Sequence, residues 1–86
     1  MRKYVYMINY EDEWGYDQIE CDSIKDLKTQ LKFLKQDNAV VNGVKMVENE
    51  DRWNEEDVSF TLFKEVVSVL GYVPKYMMSR RKGQKV

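Results

Sequence analysis

Residues 54–71 read NEEDVSFTLFKEVVSVLG, and two secondary structures compete for them. VSFTLF, residues 58–63, alternates apolar and polar side chains as a half-buried strand does. Asn54 followed by Glu55, Glu56 and Asp57 reads instead as a helix start, with three carboxylates at the positive end of the dipole. Phe60, Phe63, Val67 and Leu70 then recur at spacings of three, four and three, and Gly71 stands where a helix-ending glycine belongs. The longer period prevails, and the expected element is a helix over 55–70.

The segments around it read more simply. KYVYMINY (3–10) and YDQIEC (16–21) are rich in Tyr, Val and Ile and flank the polar, Gly-containing EDEWG, so they form a β-hairpin with a five-residue connection. Alternation puts Tyr4, Tyr6, Ile8 and Tyr10 on one face of the first strand and Val5, Met7 and Asn9 on the other. Ser23 opens a helix in a capping-box manner with Asp26, and Ile24, Leu27, Leu31 and Leu34 form its apolar stripe. Asp37-Asn38 ends it, because Asn tolerates the left-handed conformation of helix ends. A third strand is expected over 44–51, entered through a turn at Asn42-Gly43, and Pro74 starts a last short helix in PKYMMSRR.

The order β-β-α-β-α(-α) defines an α+β fold: a small mixed sheet of hairpin and third strand carrying one or two further helices. A chain of 86 residues fills a single core, so residues 1–79 form one domain and 80–86 a basic tail. The opening hairpin, followed by a helix beginning Ser-Ile-x-x-Leu-Lys, resembles the β-grasp folds in topology, over less than half of the chain.

Several chemistries are excluded by residue type. With no histidine, the chain lacks the side chain suited to proton transfer near neutral pH, the Ser-His and Cys-His pairings and the commonest transition-metal ligand. Cys21, the one cysteine, shares a strand face with Ile19 and reads as a small buried residue, with Glu20 and Asp22 opposing a thiolate. Gly15, Gly43, Gly71 and Gly83 stand isolated, which leaves no phosphate-cradling loop. The acids of residues 48–57 lack the glycine and spaced oxygens of a calcium loop. No catalytic residue, cofactor or metal is therefore expected. The N-terminal apolar stretch is too short for a signal segment or a membrane span, and the lone cysteine suits a reducing cytoplasm.

What remains are binding features. Net charge is −1, yet residues 1–22, 23–45, 46–63 and 64–86 carry −4, +3, −5 and +5, which predicts a surface of separate acidic and basic regions. Lys25, Lys28, Lys32 and Lys35 fall within an arc of about 80° on the first helix. This is either a basic ridge or an ordinary solvated flank. Phe33 lies off the apolar stripe and is a loop cover or a partner anchor. Trp14 in EDEW and Trp53 in EDRW suit recognition of a basic protein surface, the bland alternative being partial burial at a sheet edge. The leading expectation is a non-enzymatic protein-binding or regulatory module; in style the chain resembles accessory proteins of phages and mobile elements. The second expectation is nucleic-acid binding by the lysine ridge together with Arg80, Arg81 and the rest of the tail. A homodimer through an unpaired first or third strand, or through the Phe33 side, stays open; no membrane association is expected.

Overall fold

The computed structural model describes residues 4–51 and 53–77. Strands β1 (Tyr4–Asp12) and β2 (Gly15–Cys21) make the opening hairpin. Asp12 pairs with Gly15, so the connection is the two residues Glu13 and Trp14 where five were expected. Its tightness rests on Gly15 at φ 117°, a conformation hostile to L side chains, and on the Trp14 backbone N–H donating to Asp12 Oδ1 at 2.8 Å.

Helix α1 (Ile24–Gln36) follows the expected frame. Ser23 Oγ accepts from the Asp26 backbone N–H at 3.1 Å, and Asn38 turns the chain out of the helix at φ 61°. Leu27, Leu31 and Leu34 are buried, while Ile24 at the frayed end of the stripe stays 42% exposed. Because Asn38 has already reversed the chain, strand β3 (Val40–Glu48) begins earlier than the expected 44–51. Asn42-Gly43 is consequently no turn. Asn9 pairs with Gly43 and Tyr10 with Val41, which leaves Asn42 as the extra residue of a β-bulge.

The decisive stretch divides. Residues 55–57, expected as the first turn of a helix, form strand β4 (Glu55–Asp57), and helix α2 (Phe60–Leu70) starts behind Ser59. Ser59 Oγ accepts from the Leu62 backbone N–H at 3.1 Å, doing the capping assigned to Asn54. The acids find better partners on the sheet than a helix dipole offers. Lys45 Nζ reaches Asp57 Oδ1 at 2.6 Å, Tyr4 OH donates to Glu56 Oε2 at 2.6 Å, and the following Val58 is fully buried. The α2 end matches expectation, with Gly71 at φ 84° and its N–H bonded to the Val67 carbonyl at 2.7 Å. Of PKYMMSRR, Pro74 is buried and residues Lys75–Met77 form a single 3-10 turn; residues 78–86, with the 80–86 tail, and residues 1–3 lie outside the described residues.

The result is an α+β domain in which a four-stranded sheet of order β2-β1-β3-β4, antiparallel throughout, carries both helices on one face. Ile8, Cys21 and Val44 join Leu27, Leu31, Leu34, Leu62, Phe63, Val66 and Leu70 in one buried cluster, with Tyr6 and Tyr10 packed at its margin. The tyrosine face of β1 is thus the floor beneath the helices. Asn9 and Glu11 point away from them, and the 3-10 turn crosses that other face: a Cβ built on Gly43 would lie 3.1 Å from Tyr76 Cβ. The first and third strands are the two central ones; β4 pairs β3 only over residues 45–47, so residues 40–44 of β3 have no strand on that side among the described residues, while β2 is the outer strand beside β1 and bears Asp17 and Glu20.

Leu31 and Phe33, two residues apart on α1, should separate core from surface. Leu31→Ala is expected to cost about 2–5 kcal/mol in denaturant unfolding, and Phe33→Ala no more than about 0.5 kcal/mol.

Candidate functional site

The flanks of α1 face different surroundings, and this sorts the predicted site residues. At 100° per residue, Lys28 and Lys35 form an inner row and Lys25 and Lys32 an outer row about 60° away. The inner row meets α2: Lys28 Nζ pairs with Glu65 Oε1 at 2.5 Å, and Lys35 Nζ donates to the Val69 carbonyl at 3.4 Å near the negative end of that helix. Lys25 and Lys32 are exposed to solvent without such a tie, and Lys35 is exposed despite its bond to α2. Four lysines expected in one ridge are therefore two interhelical ties and two surface cations. Arg80 and Arg81 lie outside the described residues.

The opposite flank of α1 carries Phe33, 54% exposed, toward the hairpin tip, where Trp14 is 87% exposed. Between them lies a cleft of about 710 Å³. Tyr10 and Ile19 of the hairpin and Leu34 of α1 contribute its apolar lining, and Asp12, Glu13 and Asp37 its charge; no lysine or arginine lines it. Two residues singled out separately in the sequence, Trp14 and Phe33, are brought to one site. Trp53, 96% exposed, belongs to the β3–β4 connection at the far end of the sheet, since Tyr4 pairs with Glu48 there while Asp12 ends β1 at the cleft.

Backbone bonds hold both walls. The Asp37 N–H donates to the Phe33 carbonyl at 3.0 Å and the Ala39 N–H to the Leu34 carbonyl at 3.0 Å, fixing the α1 end beside the cleft. The Asp12–Trp14 contact fixes the tip. The helix end adds the negative pole of its dipole to the three carboxylates. Burial first, then Asp17 and Asp12, push the Tyr10 phenol above the ordinary value. Such a wall attracts cations and repels phosphate.

Asp12 and Glu13 could have been found from the EDEW motif itself, since a short turn keeps neighbours of Trp14 beside it. Asp37 and Tyr10 join only through the packing of α1 on the hairpin. Cys21 is fully buried and its thiol is pushed up to about 11, by burial first and then by Asp26, Asp22 and Glu20. Among the described residues, no group of three or more Asp, Glu or Cys side chains is placed to hold a metal, and no helix is long and apolar enough to cross a membrane. No family model, curated protein or solved structure matches this chain.

The Cys21 shift carries a sign. The folded chain keeps a thiol proton that an unfolded chain releases near 9.0, so folding stability should fall as pH rises from 9 toward 11. Urea midpoints across that window should drop less steeply in Cys21→Ala than in the parent chain.

Proposed function

We propose that this protein is a non-enzymatic binding module that holds a basic segment of a partner protein in the cleft between the hairpin tip and the end of α1. The observation that carries the reading is the convergence of exposed Trp14 and Phe33, from separate elements, in a cleft whose charged lining residues are all acidic. Solvent-exposed large aromatics are the side chains that dominate interface energetics. A lysine or arginine entering between them gains cation–π contact with the rings and Coulombic attraction to Asp12, Glu13 and Asp37. The cleft also has the volume of an ordinary ligand site. The absence of histidine and the depth of Cys21 leave acid–base and thiol chemistry without their usual agents, which favours binding over catalysis.

The nucleic-acid reading has less support. It called for four lysines acting together, and two of the four are turned to α2.

Trp53→Phe leaves Trp14 as the sole tryptophan, so its fluorescence reports the cleft directly. A short Arg/Lys-rich peptide is expected to shift that emission saturably, and its Glu-substituted counterpart to leave it unmoved. Phe33→Ala should weaken binding about tenfold, as loss of one aromatic anchor does, and added salt should weaken it further. If the basic peptide fails while an oligonucleotide binds and Lys25→Glu with Lys32→Glu abolishes it, the nucleic-acid reading replaces this one.

A further inference from the structure

A second hollow, of about 490 Å³, lies on the sheet face turned away from the helices, where the 3-10 turn packs on β3. Three carboxamides, Asn9, Gln18 and Asn42, and the rings of Tyr16 and Tyr76 line it. Gln18 Nε2 donates to Asn9 Oδ1 at 2.7 Å, which orients both amides and leaves a donor on Asn9 and a carbonyl oxygen on Gln18. Asn42, the extra residue of the bulge, is 1% exposed, yet its amide nitrogen has no hydrogen-bond partner among the described residues. A buried amide donor left unpaired is costly, and natural chains retain few of them without a use. Tyr16 and Tyr76 are 72% and 55% exposed; Lys75 Nζ lies over one face of each ring, so a planar guest stacks on an uncovered face or displaces the lysine.

We propose that this hollow binds a nucleobase, as the free base or a nucleoside. The base edge meets the free donor of Asn9 and the carbonyl oxygen of Gln18, Asn42 Nδ2 turns out of its buried position to donate to a ring carbonyl, and the ring plane stacks on Tyr16 or Tyr76. Paired donors and acceptors on a base edge, with a stacked face, are the chemistry by which proteins read unpaired bases. Charge argues against a phosphate-led ligand. Lys75, 5.9 Å from the Tyr16 ring and 5.2 Å from the Tyr76 ring, is matched by Glu11 at 3.8 Å, and Asp17 stands at the rim. Tyr76 packs closely on Gly43, where an added Cβ would lie 3.1 Å from Tyr76 Cβ, so the wall is built beside the bulge that also places Asn42. The hollow shares Tyr10 with the acidic cleft but takes an uncharged guest, whereas the cleft takes a cation and responds to salt.

The test is an NMR titration of the full isotope-labelled chain with uridine, cytidine, adenosine and guanosine in turn. At least one nucleoside should move the side-chain amide resonances of Asn42, Asn9 and Gln18 saturably, with little salt dependence and without moving those of the cleft. Asn42→Leu should weaken that binding at least about tenfold while raising the urea midpoint of the free chain, because an unpaired buried amide is replaced by an apolar side chain of similar size. Tyr76→Ala should weaken it too. The proposal is overturned if no nucleoside moves those resonances up to its solubility, if acetamide moves them as well as the best nucleoside, or if Asn42→Leu binds as the parent does. It is equally overturned if Asn42→Leu lowers the midpoint, since the amide would then be satisfied within the fold.

Discussion

Burial of Ile8 at the centre of β1, in one cluster with Leu27 and Leu31 of α1 and Val66 and Leu70 of α2, is the constraint on which the rest of the molecule depends. A chain of this size buries a limited fraction of its surface, so both helices must share a single face of the sheet to make one core. Sharing a face sets the helices side by side. Their contact then absorbs Lys28 and Lys35, whose stems and charges fit the seam with Glu65 and the α2 carboxyl end. Half of the basic ridge suggested by the first helix is thereby tied to α2 along a seam that solvent still reaches.

The same arrangement creates the acidic cleft. With α2 on one flank of α1, the other flank looks toward the hairpin tip, and Phe33 is left without a helix to cover it. The tip is a two-residue turn, and Trp14 stands 87% exposed on it. Aromatic surface and carboxylates stay exposed in one place although nothing in the packing needs them there. Surface of that kind is more readily explained by a partner than by stability.

Legibility followed the range of the interactions that decide each element. α1 was readable because its cap, its stripe and its stop are all set by residues within a turn of one another: Ser23 with Asp26, the leucines at three and four, Asn38 at positive φ. The Gly71 stop of α2 was readable for the same reason. Residues 55–57 were misread because the rule that three acids open a helix is local, while Tyr4 and Lys45, which hold Glu56 and Asp57 on the sheet, come from distant parts of the chain. Asn42-Gly43 has the sequence of a turn, but the reversal had been made four residues earlier, and the pair became a bulge. Candidate anchors were legible one at a time; that Trp14 meets Phe33 and does not meet Trp53 was not, since strand direction decides it.

By itself the sequence determined the α+β class, the first helix with its frame, the division of β1 into two faces and the chemistry withheld by the lack of histidine. Those properties depend on residue type and on periods of two and 3.6, which no distant contact can alter. Tertiary structure alone decided that β4 exists, which lysines are tied to α2, where the acidic cleft opens and that Asn42 is buried without a partner. Each of these joins groups far apart in the chain, and such pairings are selected by the free energy of the whole core, which no short window of sequence contains.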